Sequence, residues 1–140
     1  MESNDSIDKE ILDRYEATKE QTAKGMSEEE LRQKAKEHSG KKSSYRSVSS
    51  TTYVRNPYIA EYAKNRAKGI CQLCGHGAPF NDKDGNPYLE SHHIIWLSKG
   101  GDDSIENTVA LCSNCHRKMH VIADEKDVKL LQEKNKEIDY

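Results

Sequence analysis

Phenylalanine and tryptophan occur once each in 140 residues, and only 34% of the chain is hydrophobic while 33% is charged. A core drawn from so little apolar material is thin for the length, so something besides burial has to hold the fold together. No run of about 18 apolar residues exists, and no apolar stretch follows the N-terminus, which argues against a membrane-spanning helix or a secretory signal. The chain is therefore expected to be soluble and cytoplasmic. In a reducing compartment thiols stay unpaired, and the four cysteines fall in two CxxC pairs, a spacing that points to metal ligation rather than to disulfides. The length leaves room for one domain and an appendage.

The formal net charge of -2 is unevenly spread. Residues 41–70 carry seven basic groups, Lys41, Lys42, Arg46, Arg55, Lys64, Arg66 and Lys68, against one acidic group. A cationic stretch beside an acidic remainder suits a phosphate backbone, and a solvated Lys- and Ser-rich linker would have the same composition.

Residues up to about 40 read as polar helices. Ile7, Ile11, Leu12 and Tyr15 form a narrow apolar stripe there, and Ser27 to Glu30 matches a capping box. Gly40 ends the second helix, and KKSSYRSVSSTT (41–52) has no apolar period, so it reads as a linker separating an appendage, 1–52, from a domain, 53–140. Asn56-Pro57 is an N-cap and first-turn signal for a helix that runs to Gly69. Beyond it, Asp84-Gly85 marks a turn, Tyr88 to Leu97 a strand, Ser98 to Asp103 a flexible loop, Ile105 to Leu111 a return strand and Ser113 to His120 a helix. The tail is expected to be an amphipathic helix with Val128, Leu131 and Ile138 inward. The class is α+β.

Cys71 and Cys74 form one knuckle and Cys112 and Cys115 another, with 37 residues between the pairs. Zinc prefers four tetrahedral thiolate or imidazole ligands, and a site filled by four cysteines leaves no position for water, so this ion would be structural. It would substitute for the missing core. A redox pair needs only one CxxC and usually a βαβ setting, which is absent. A finger made from Cys71, Cys74, His116 and His120 is not expected, because the 41 residues between Cys74 and His116 far exceed the roughly 12 to 15 usual in that arrangement.

Four of the six histidines, His92, His93, His116 and His120, lie within thirty residues. His116 and His120, at i and i+4 on the predicted helix, stand on one face and can grip one ion. Cys115 is turned about 100° from His116, so its thiolate faces elsewhere and two separate ions are implied. His92 and His93 are neighbours on a strand and point to opposite faces. If His92 turns toward the ion of His116 and His120, the site has three imidazoles and open positions, the pattern of a catalytic metal. His93 is then unligated and suited to take a proton from water. His38 and His76 lack partners and read as capping or loop residues.

The run LESHHIIWLSKGGDDSIENTVALCSNCHRKMH, preceded by GICQLC, resembles the HNH endonuclease motif in its four-cysteine form. The wider stretch Tyr53 to Val121 resembles the nuclease domain of McrA-like modification-dependent restriction enzymes. That resemblance implies a ββα-metal fold with flanking helices. It implies that His93 is the general base, that His92, His116 and His120 ligate a catalytic divalent ion (Mg²⁺, Mn²⁺, Ni²⁺ or Zn²⁺), and that Asn107 holds the loop which orients His93. It implies structural zinc on the four cysteines, and DNA as the partner. Arg55, Arg66, Lys68, Arg117 and Lys118 are the expected contacts to DNA phosphates. About fifty polar residues are too few for the base-reading module that McrA-like enzymes carry N-terminally, so modification-dependent recognition is not expected from this chain. A nonenzymatic zinc module that binds nucleic acid is the alternative, and it leaves the four histidines unexplained. A third reading is a subunit of a restriction-like complex whose N-terminal helices dock a second copy or a targeting partner.

Overall fold

The structure is a computed structural model, and it describes residues 7–137. Two units are distinguished, residues up to Thr52 and residues from Tyr53, and each is described by itself. Among the described residues no helix is long and apolar enough to cross a membrane.

The first unit holds helix α1, Lys9–Lys24, and helix α2, Glu28–His38. Asp8 caps α1 by accepting the Glu10 N–H at 2.7 Å, and Ser27 caps α2, its Oγ accepting the Glu30 N–H and donating to Glu30 Oε1, so the two residues of the expected box meet through their side chains. Neither helix buries a residue, so Ile11 and Tyr15 of the apolar stripe stay exposed. The stretch read as a plain linker contains a two-residue strand, β2 (Val48–Ser49), paired in parallel with β1 (Ile7–Asp8). The side chains of Ile7 and Ile138 lie outside the described residues.

The second unit starts at helix α3, Pro57–Ala67, where Asn56 Oδ1 accepts the Tyr58 N–H at 2.9 Å and Pro57 occupies the first turn, which needs no N–H. Strand β3, Glu90–His93, pairs antiparallel with β4, Thr108–Leu111, setting Glu90 opposite Leu111 and His92 opposite Val109. Helix α4, Ser113–Val121, and helix α5, Glu125–Lys136, complete the unit. The core is small and includes two of the cysteines: Cys71, Leu73, Leu89, Ile94, Val109, Ala110, Leu111, Cys112, Met119 and Leu131, with Val128 packed against it.

Both strands are shorter than their apolar runs suggested. The chain leaves β3 at Ile94, passes through a 3₁₀ turn at Leu97–Lys99 and another at Ile105–Asn107, and pairs again only from Thr108. Nor is the connecting loop loose. Gly101 N–H bonds Trp96 O at 2.9 Å, and Asn107 ties both Ile95 and Asp102. Gly101 is required by this closure, since a Cβ there would lie 1.9 Å from the Ile95 carbonyl oxygen.

Arg66 corrects an expectation. Its guanidinium turns inward, donating to the carbonyls of Ile105 and Thr108 and to Asn135 Oδ1, while Asn135 Nδ2 donates to Ile105 O and Glu106 O. It fastens α3 and α5 to the turn before β4, because three acceptors converge where a helix-end cation can reach them. This structural role differs from the phosphate contact expected of it.

Candidate active site

The two cysteine pairs come together. All four sulfurs lie within 4.8 Å of one another, and Cys74 Sγ is 4.0 Å from Cys112 Sγ. Two bonds of about 2.3 Å at a tetrahedral angle would separate sulfurs by about 3.8 Å, so the cluster has the dimensions of a four-thiolate ion site. The knuckle is built by backbone bonds, Cys71 N–H to His76 O and Gly75 N–H to Cys71 O, both 2.9 Å. Burial works to raise the Cys71 thiol, yet hydrogen bonds from the backbone of Cys112, Cys74 and Leu73 outweigh it and bring the group down to about 7. Cys115 is pushed far up by burial and by the hydrogen bonds it shares with Cys112 and Cys71. Four thiols this crowded cannot all ionise unless a cation joins them, which is the chemistry of a metal-binding donor set.

The second cluster draws His116 and His120 from α4 and His92 from β3. Ring nitrogens of His92, His116 and His120 lie within 4.8 Å of one another, and the Nε2 atoms of His116 and His120 are 3.1 Å apart. Two bonds of about 2.0 Å at a tetrahedral angle would set nitrogens about 3.3 Å apart, so these imidazoles also fit one ion. His92 is 2% exposed and its Nε2 has no hydrogen-bond partner. Burial first, and then the charges of His116, His120 and His93, push His92 down to about 3, so it is neutral and ready to donate a lone pair. Burial and then the neighbouring His116, Arg117 and Arg55 also lower His120.

Several residues around this cluster were not anticipated. Glu90 Oε1 lies 2.8 Å from His116 Nδ1, which fixes that ring with Nε2 toward the cluster, and Tyr88 donates to Glu90 Oε2 at 2.8 Å. The His116 hydrogen bond, then that of Tyr88, holds Glu90 below the usual carboxylate range. Supporting bonds of this kind set the tautomer of a ligating histidine. Trp96 stacks on His120 with ring centroids 5.1 Å apart, and Lys99 sits over Trp96. Glu90 had a signal in the sequence, because a residue two positions before His92 on a strand shares its face. Tyr88 and Trp96, each four positions from His92, share that parity in the expected strand, although the observed strand covers only Glu90–His93.

His93 stands apart from its neighbour, as the alternation of a strand requires. Its Nε2 is 2.8 Å from Asp103 Oδ1, and Asp103 Oδ2 accepts the Asn56 N–H at 2.7 Å. Those two bonds, the His93 one first, lower Asp103. Asn107 lies at the turn before β4, where its Oδ1 accepts the Ile95 N–H at 2.9 Å and its Nδ2 donates to Ile95 O at 2.9 Å and Asp102 O at 2.8 Å. Its backbone carbonyl accepts the N–H of Ile94, the residue after His93, at 2.8 Å.

The expected cationic residues divide. Arg55 is exposed and acts electrostatically on both Asp103 and His120, and Arg117 acts on both Glu90 and His120, so both flank the histidine cluster. Lys68 is exposed at the left-handed end of α3. Lys118 is paired with Asp127 at 3.1 Å.

The sequence model of the HNH endonuclease family matches residues 71–121. Among curated proteins, the chain is 51% identical over 76 residues to the type IV methyl-directed restriction enzyme EcoKMcrA of Escherichia coli, a match taking in 54% of this chain and 27% of that enzyme. It is 30% identical over 70 residues to Anaredoxin of Nostoc sp., taking in 47% of this chain and 82% of that protein. Among solved structures, the type IV phosphorothioation-dependent restriction endonuclease ScoMcrA superposes with a TM-score of 0.52 at 31% identity, over 59% of this chain and 16% of that one. The chain thus spans about a quarter of the length of the E. coli enzyme it matches. With the ββα arrangement of β3, β4 and α4 carrying the motif histidines, residues 71–121 form a domain of the HNH endonuclease family.

Proposed function

We propose that this chain hydrolyses DNA phosphodiester bonds, with His93 as general base, His92, His116 and His120 holding one divalent ion, and the four cysteines holding a structural zinc. The observation that supports this most is the gathering of three imidazoles around a buried His92 Nε2 that has no protein partner. A buried polar nitrogen left unpaired is costly, and a cation removes that cost. Three protein ligands leave coordination positions open, as hydrolytic metal sites require. When bound, the divalent ion supplies Lewis-acid stabilisation of the charge that grows on phosphate and leaving oxygens.

The chain's own groups do the rest. His93 takes a proton from the water that attacks phosphorus in line. Asn107 holds the loop beside it through its three amide hydrogen bonds. Arg55 and Arg117 flank the cluster and bind phosphates on either side of the cleaved bond, with Lys68 more distant. The products are 5′-phosphate and 3′-hydroxyl ends. A restriction-type role is part of the same proposal, drawn from the two restriction enzymes to which the chain is similar.

The test is a nicking assay on supercoiled plasmid with Mg²⁺, Mn²⁺ or Ni²⁺. Cleavage should be abolished by EDTA and by His93→Ala, with DNA binding retained in that variant. Wild-type rates in a folded His93→Ala protein would remove His93 as base, and DNA binding without cleavage under any ion would favour a nonenzymatic zinc module.

A further inference from the structure

Asp103 lies ten residues beyond His93, and both its oxygens are engaged. Oδ1 meets His93 Nε2 at 2.8 Å and Oδ2 accepts the Asn56 N–H at 2.7 Å. Asn56 is itself fixed, because its side chain caps α3. From the other side Asn107 holds the carbonyl of Asp102, the preceding residue, at 2.8 Å. The backbone at the start of α3 therefore holds the carboxylate itself, and the amide of Asn107 holds the peptide that precedes it. The pair is well shielded, with the His93 side chain 10% exposed and that of Asp103 23%.

We infer that Asp103 is the positioning residue for His93, holding its ring in the Nε2–H tautomer so that Nδ1 is the nitrogen that receives the proton. An ionised carboxylate only accepts hydrogen bonds, so the nitrogen facing it must carry the hydrogen, and a neutral imidazole then has its basic lone pair at the other nitrogen. His93 Nδ1 makes no hydrogen bond to any described residue. The inference rests on the endonuclease reading with His93 as base. In the step itself, a water proton passes to Nδ1 while the water oxygen bonds to phosphorus. The P–O3′ bond breaks with its electron pair on the 3′ oxygen, which takes a proton from solvent, and the imidazolium later returns its proton to solvent. While the ring is charged, the Asp103 carboxylate stabilises it, as in other carboxylate-oriented histidines.

The Asn56 N–H makes the test sharp. In Asp103→Asn the amide has one oxygen, and the backbone N–H of Asn56 claims it. The amide NH₂ is then turned to His93 Nε2 and donates to it, which forces the hydrogen to Nδ1 and blocks the base. Long-range ¹H–¹⁵N spectra of protein loaded with zinc should show His93 as Nε2–H in the wild type and Nδ1–H in Asp103→Asn. In other enzymes the same exchange costs on the order of 10⁴-fold through the wrong tautomer, so kcat for nicking should fall at least about 100-fold. KM should stay within about twofold, since no group that binds substrate is removed. Asp103→Glu, which restores an acceptor-only group, should recover most of the rate.

A wild-type His93 carrying its hydrogen on Nδ1 would overturn the inference, whether or not any variant folds. So would Asp103→Asn with wild-type kcat, or with a loss confined to KM. If the wild type nicks no DNA with any divalent ion, the endonuclease reading fails, and the tautomer measurement still decides the positioning claim separately.

Discussion

Replacing Asn107 by aspartate keeps its shape, yet should harm the domain at least as much as replacing it by alanine. The amide makes three hydrogen bonds, two at 2.9 Å and one at 2.8 Å, and two of them are donated by Nδ2 to the carbonyls of Ile95 and Asp102. Asn107→Ala removes all three, which at about 1 kcal/mol each comes to about 3 kcal/mol. Asn107→Asp retains the acceptor for the Ile95 N–H but loses both donated bonds, about 2 kcal/mol, and sets an oxygen against two carbonyl oxygens. Leaving those acceptors facing a charge adds roughly 1–3 kcal/mol more, for a total of about 3–5 kcal/mol. Urea unfolding of the zinc-loaded protein measures this directly, and thermal unfolding should fall by more than about 10 °C for a unit of this size. Nicking should fall about 100-fold in both variants, since a loop displaced by about 1 Å misplaces His93. An aspartate variant within about 0.5 kcal/mol of wild type would refute the claim that this amide closes the loop.

Two further predictions concern pH and charge. His92 is pushed down to about 3 in the folded protein, whereas in the unfolded chain it takes its ordinary value of about 6.5. Stability is thus fully present above about pH 6.5 and declines below it, as the unfolded chain takes up a proton the fold refuses, reaching about 2 kcal/mol at pH 5. Urea titrations of protein carrying zinc in the thiolate site alone should show that decline, and His92→Phe should show a shallower one; equal slopes would contradict it. Arg55→Ala and Arg117→Ala should each reduce the slope of log K for DNA against log salt by about 1 and leave folding unchanged. Arg66→Ala should do the reverse, destabilising the fold by about 2–4 kcal/mol through its buried charged hydrogen bonds without changing that slope. A changed salt slope in Arg66→Ala with normal stability would reverse the assignment.

The donor sets were legible in the sequence because their spacing is local. Two CxxC pairs, two histidines four apart on a helix and two adjacent on a strand each constrain direction before any tertiary structure is known. What surrounds them depended on contacts that spacing does not carry. Asp103 reaches His93 only because the loop folds back, and that loop, rich in Gly and Asp, reads as mobile until the Asn107 amide and the tight approach of Gly101 to Ile95 are seen. Arg66 sits in the most basic stretch of the chain, so composition pointed it outward, whereas the register of α3 against the 105–108 turn points it inward. The strands were overextended for a related reason. Ile94, Ile95 and Ile105 are apolar and strand-forming, yet the turn that positions Asn107 interrupts pairing there.

The most direct measurement is X-ray absorption on protein loaded with zinc in the thiolate site and Ni²⁺ or Co²⁺ in the second. One zinc in a shell of four sulfurs is expected, together with a second metal bound by three imidazole nitrogens and no sulfur, its shell unchanged in His93→Ala. A second metal that binds sulfur, or an imidazole lost from its shell in His93→Ala, would contradict this.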